Sequence, residues 1–167
     1  ENVKSIAGLG GIGAVIHGMR SLLGVAEVQE QGCLALRNFS LQTEYKTKIL
    51  EQGGIEVIIA GMSRHGGDER VQEQGNGLLG ILAMEEQGTA RIGEAGGIQT
   101  LLAGMRRHPS HAGVQETGCG ALRWLALNPG NKSRIAEAGG DEAVRACMKA
   151  HASHQGVQRQ GRWAMEN

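Results

Sequence analysis

The chain has 167 residues with 17 basic and 17 acidic side chains, so no chain-wide field draws it to nucleic acid or an anionic membrane. It holds no apolar run long enough for a membrane span and no charged-then-apolar leader, so neither a span nor a retained signal peptide is predicted. Glycine is abundant at 28 residues against two prolines, and aromatics are so few (Phe39, Tyr45, Trp124, Trp163) that small and aliphatic side chains must build the core.

The first element opens as "VKSIAGLGGIGAVIHGM" at 3–19 and contains Gly8-x-Gly10-x-x-Gly13, with Glu27 or Glu30 following. That spacing cradles a dinucleotide pyrophosphate when it joins a strand to a helix. The rest of the chain argues against it. The pair Gly10-Gly11 recurs at Gly53-Gly54, Gly96-Gly97 and Gly139-Gly140, each step 43 residues. The same step relates Met19, Met62, Met105 and Met148, the "VQ" pairs starting at Val28, Val71, Val114 and Val157, and Gly32, Gly75, Gly118 and Gly161. The later copies replace the outer glycines with Glu51, Glu94 and Glu137 on one side and Glu56, Gln99 and Glu142 on the other. Only the central pair is common to all. It therefore ends one helix and opens the next, supplying the positive-φ residue of a C-cap; no cofactor is expected.

The next element, "VAEVQEQGCLALRNFSL" at 25–41, carries Val28, Gly32, Ala35, Leu36 and Phe39 on one helical stripe, with Glu30, Leu34, Arg37, Asn38 and Leu41 opposite. Gly32 and its equivalents predict a place where another helix crosses too closely for a Cβ, whereas Gly77, Gly80 and Gly120 do not recur in every copy and read as local weakening. In the last copy a short helix is predicted over 132–138, a second over 141–150 and a third from 156 onward, with Pro109 and Pro129 between helices. Strand alternation is absent. The prediction is an all-α, right-handed α-solenoid of stacked three-helix units, approximately 1–43, 44–86, 87–129 and 130–167, forming one domain of a longer array.

At this point the residues resemble the armadillo repeat. "RIAEAGG" at 134–140 looks like its short first helix, and "VQEQGCLALRNFS" at 28–40 and "VQETGCGALRWLA" at 114–126 look like its third. HEAT repeats lack the short helix and the Gly-Gly junction. The resemblance implies a protein-interaction scaffold, not an enzyme, whose third helices line a groove for an extended or helical partner segment. Its peptide-clamping Asn position holds Asn38, Ile81, Trp124 and Asn167, and its Trp position holds Leu34, Gly77, Gly120 and Trp163; only "WAMEN" at 163–167 keeps both. Arg37 and Arg123 share the face, and Glu30, Glu73 and Glu116, then Arg159, run one turn earlier. This row is expected to set the charge preference of a partner, or to be solvated first-turn acids that the helix dipole favours.

A second row lies at the ends of the second helices: Arg64, His65, Arg106, Arg107, His108, Lys149 and His151, with His111 and His154 just beyond. It reads either as cations satisfying open carbonyls or as an edge for phosphate or nucleic acid, the latter disfavoured by the net charge. "HPSH" and "HASH" lack a third ligand, so no metal is expected. Cys33, Cys119 and Cys147 form no CxxC pair, and all cannot be bridged, which favours a reducing compartment and a cytoplasmic or nuclear location. Cys33 and Cys119 share one register position two copies apart, too far to pair, and read as inert. No nucleophile, HExxH or P-loop pattern supports catalysis. The uncapped ends are expected to pack on neighbouring chain or on another copy.

Overall fold

The computed structural model describes residues 10–166, and among the described residues every regular element is a helix and no strand occurs. α1 (Gly11–Ser21) and α2 (Ala26–Phe39) come first. α3 (Thr43–Glu51), α4 (Gly54–Arg64) and α5 (Glu69–Leu82) follow, then α6 (Glu86–Glu94), α7 (Gly97–Arg107) and α8 (Ala112–Leu125). α9 (Pro129–Glu137), α10 (Gly140–Ala150) and α11 (Gln155–Glu166) complete them. None of these helices is long and apolar enough to cross a membrane. Residues Gly8 and Asn167, singled out above, lie outside the described residues.

The two glycines of each junction have different physical reasons. Gly10, Gly53, Gly96 and Gly139 adopt φ of +86°, +78°, +80° and +71°, the left-handed conformation that starts the following helix and, at the last three, ends the one before. The second glycine is there for space. A Cβ on Gly97 would lie 2.5 Å from Ile92 Cγ2 and 2.9 Å from the Ile92 carbonyl oxygen, and Gly54 and Gly140 meet Ile49 and Ile135 in the same way.

The stripe of each long helix is buried as the period predicts: Ile55, Ile58 and Met62 on α4, Leu78, Leu79 and Leu82 on α5, Leu101 and Leu102 on α7. Each such side chain contributes roughly 1.5–3 kcal/mol when fully buried. Helices one 43-residue step apart pack on each other in turn. α2 meets α5, α5 meets α8 and α8 meets α11, while α1, α4, α7 and α10 do likewise and α6 meets α9. Gly32, Gly75 and Gly118 are required by a side chain, where helix crossing alone was expected. A Cβ on Gly75 would lie 2.5 Å from Met62 Cγ and Sδ, so the thioether of one helix fills the place of the missing Cβ on the next.

The glutamine of each "VQ" pair ties the same two helices. Nε2 of Gln72 donates to the carbonyls of Met62 (2.8 Å) and His65 (3.2 Å), and Gln29, Gln115 and Gln158 repeat the pattern on Met19 and Leu22, Met105 and His108, and Met148 and His151. These carbonyls belong to helix ends, where intrahelical donors run out.

Pro129 corrects the prediction that both prolines lie between helices. It is the first residue of α9, which starts at Pro129 rather than at 132, and Asn128 Oδ1 accepts from the Asn131 N–H at 3.1 Å. Proline suits this position because its missing N–H would be unpaired there. Pro109 does fall between α7 and α8.

Asp68 caps α5 by accepting from the N–H groups of Arg70 (3.0 Å) and Val71 (3.3 Å). Burial raises its carboxyl, but those two N–H groups and the Arg70 guanidinium outweigh burial and hold it below its usual 3.8. A depressed carboxyl stabilises the fold above its unfolded pKa, and that stabilisation is lost as pH falls through the folded value. Asp68→Asn should therefore remove part of the acid sensitivity of the wild type. Urea midpoints at pH 7 and about pH 3 measure it, and equal acid losses in both proteins would refute the cap's contribution.

Candidate interaction groove

α2, α5, α8 and α11 present one continuous row of neighbouring faces because the small and aliphatic residues on their inner stripes are buried. Between α5 and α8 this row opens into a depression of about 220 Å³ lined by Gly77, Gly80, Ile81, Met84, Glu116, Thr117, Gly120, Ala121, Arg123, Trp124 and Gln160. Six of these residues were placed on the partner-facing side from sequence: Gly77, Ile81, Glu116, Gly120, Arg123 and Trp124. The glycines do more than weaken a helix. A Cβ on Gly80 would lie 3.3 Å from Ala121 Cα, so the two helices approach closely, and beside Gly120 the nearest atom is Gln160 Cδ at 3.6 Å.

Gly77 is not bare. The Arg37 guanidinium from α2 lies over it and donates to Gln74 Oε1 at 2.5 Å. One end of the row is built from aromatic and cationic groups. Arg123 lies 4.6 Å from the Trp124 ring centroid and 4.0 Å from that of Trp163, with Arg159 6.0 Å from Trp163. Each such contact is worth about 0.5–1 kcal/mol where exposed. Leu34 and Trp163 remain 39% and 38% exposed, enough for either to meet a ligand, and Asn38 is exposed.

The acidic row is engaged across the helix-to-helix steps. Glu30 pairs with Arg70 at 3.6 Å and Glu116 with Arg159 at 3.8 Å, while Glu73 faces His111 Nδ1 at 3.9 Å. Glu30 and Glu116 are thus paired with arginines, whereas the His111 nitrogen facing Glu73 accepts the Val114 N–H and offers it no proton. Sequence reasoning could not find these pairs, because each joins residues about 40 positions apart on different helices.

An apolar row went mostly unnoticed. Leu41, Met84 and Leu127 stand one 43-residue step apart, just past the ends of α2, α5 and α8, and are 83%, 51% and 58% exposed. Their shared register was the available signal; Leu41 alone was placed on this face.

The histidines of the second row are used by the fold. Nε2 of His65, His108 and His151 each lies 2.8 Å from a carbonyl of the preceding turn, that of Leu23, Gly66 and Pro109 respectively, and donates to it. They satisfy open carbonyls as expected, but on the previous copy instead of their own helix. Nδ1 of His111 and of His154 accepts from the N–H of Val114 and Val157, capping α8 and α11. Arg106 donates to the Ala138 carbonyl at 2.5 Å, while Arg64, Arg107 and Lys149 lie exposed. A larger open cleft of about 610 Å³ separates α4 from α7 and is lined by Ser63, Gly66, Thr100, Ala103, Arg106 and Arg107 among others. It arises where Ser63 stands in the register of Arg20 and Arg106: those two arginines reach Gly53 and Gly139 of the next junction, and serine is too short to reach Gly96.

No family model and no curated protein matches this chain.

Proposed function

We propose that this chain is an armadillo-like, right-handed α-solenoid segment that serves as a protein-interaction scaffold in the cytoplasm or nucleus. It holds an extended or helical partner segment along the faces of α2, α5, α8 and α11. The observation that carries this reading is the glycine-floored depression between α5 and α8, walled by Ile81, Met84 and Trp124 and continued by Leu41 and Leu127. Exposed apolar side chains in register, beside stacked tryptophan and arginine, match the composition of protein interfaces.

Neighbouring helices about 10 Å apart and about 3.3 Å per extended residue give one apolar contact for roughly every third partner residue. Because Glu30 and Glu116 are paired with arginines of the molecule itself, apolar and amide groups of the partner contribute more than its net charge. The anion-binding alternative has less support, since five of its histidines already serve the fold through hydrogen bonds.

Selection from a displayed peptide library tests the reading. Selected peptides should share spaced apolar residues and bind Trp124→Ala at least tenfold more weakly, as removal of a central tryptophan anchor does. Gly120→Glu fills the depression where there is room for a side chain, and it should abolish binding without unfolding the helix. Peptides that bind all three proteins alike would refute the groove.

A further inference from the structure

The sequence separates Cys119 from Cys147 by 28 positions and places them on different helices, α8 and α10, yet their sulfurs lie 3.7 Å apart, both buried. This gives Cys119 a neighbouring thiol that its register position did not reveal. The pairing is particular to one place in the chain. Cys147 occupies the register of Gly61 and Gly104, and Cys119 that of Cys33 and Asn76. By register, the position equivalent to Cys147 opposite Cys33 is Gly61 on α4, and opposite Asn76 it is Gly104 on α7. Only between α8 and α10 do both positions carry a thiol.

Two further features distinguish the pair from buried core cysteines. A small cavity of about 90 Å³, lined by Met105, Pro109, Gln115, Ala143 and Cys147 among others, reaches Cys147 between α7 and α10. That is the volume of a few water molecules, enough for a small hydroperoxide. The Cys119 thiol hydrogen-bonds to Cys147, which lowers the Cys147 thiol against the opposing effect of burial and leaves Cys119 the protonated partner. Cys33 has no such partner, and burial pushes it up to about 12 despite Arg37 nearby.

We propose that Cys119 and Cys147 form a hydroperoxide-sensitive dithiol that closes into a disulfide between α8 and α10. The Cys147 thiolate attacks the distal oxygen of a hydroperoxide; the S–O bond forms, the O–O bond breaks, and the alcohol or water leaves after taking a proton. Cys119, giving up its proton, then attacks the sulfenic sulfur. The S–S bond forms, the S–O bond breaks, and water departs. Two thiols are oxidised and one peroxide is reduced. The sulfurs must close from 3.7 Å to about 2.05 Å, a shift that rotation of the side chains and a slight approach of the helices supply. The product would tie the helix carrying Arg123 and Trp124 to the next helical set, and a thiol reductant would release it.

The test is a titration of the folded, reduced protein with hydrogen peroxide, followed by alkylation of remaining thiols in denaturant, intact mass and peptide mapping. The expected result is a fall from three free thiols to one and a loss of two hydrogens. A Cys119–Cys147 linked peptide should appear within one chain and disappear with dithiothreitol. Cys33→Ala should behave as wild type. Cys119→Ala should stop at a sulfenic acid on Cys147 that dimedone traps, and Cys147→Gly, which restores the residue of the other copies, should lose no thiols. Three thiols persisting in the peroxide-treated wild type would overturn the proposal. So would a link between chains, or oxygen added at Cys33 or Met105 without the internal link.

Discussion

Gln72→Leu is expected to lower unfolding stability by about 2–4 kcal/mol, read as a fall in the urea midpoint at unchanged slope. The side chain is 1% exposed, and its Nε2 supplies a donor to the carbonyls of Met62 and His65 at the end of α4. Leucine of similar size keeps the packing but leaves the Met62 carbonyl buried without that donor, and losing a partner costs a buried polar group more than the bond's net worth. Gln72→Glu separates the two contributions. It keeps the shape and turns the donor into a carboxylate oxygen facing two carbonyls, so at neutral pH it should cost at least as much as leucine. A Gln72→Glu protein as stable as wild type would show that shape, and not hydrogen bonding, holds the two helices together at this point.

The Gly96-Gly97 junction should respond unequally at its two positions. Gly97→Ala is expected to cost about 3 kcal/mol, because the new Cβ meets the Ile92 methyl at 2.5 Å and its carbonyl oxygen at 2.9 Å, with Ile59 Cδ1 at 3.3 Å behind. The carbonyl is backbone and cannot rotate away, so the gain in helix propensity over glycine, about 1 kcal/mol, does not compensate. Gly96→Asn should cost under about 1 kcal/mol. Its only close neighbour is Gln99 Oε1 at 4.0 Å, and asparagine tolerates φ of +80° better than other side chains. Thermal and urea unfolding of both variants check this, and a more harmful Gly96→Asn would mean the assignment of reasons is reversed.

The two glycines illustrate how far sequence reasoning reaches. That the pair ends one helix and opens the next was legible from its recurrence, and so was the dismissal of a pyrophosphate loop. Which glycine needs the conformation and which needs the space was not, because the second depends on how closely α6 and α7 fold back on each other. The groove was legible in the same partial way. Ile81, Trp124, Gly77 and Gly120 were placed on one face by register alone. That Arg37 lies over Gly77, or that Arg123 stacks between Trp124 and Trp163, depends on the rotation from one helix to the next.

By itself, the sequence determined the all-helical class, the 43-residue period, the helix junctions and the identity of the buried stripes. These follow from interactions within a few turns of chain, which leave a periodic trace in residue type. Only the tertiary structure decided the glutamine donors that tie two helices of one copy, and the pairs that join one copy to the next: the histidine bonds to the preceding turn, the Glu30–Arg70 and Glu116–Arg159 ion pairs and the Cys119–Cys147 contact. Each bridges different helices, so it is set by the distance and rotation between packed helices. Those quantities arise from the summed fit of many side chains, and no spacing along the chain records them.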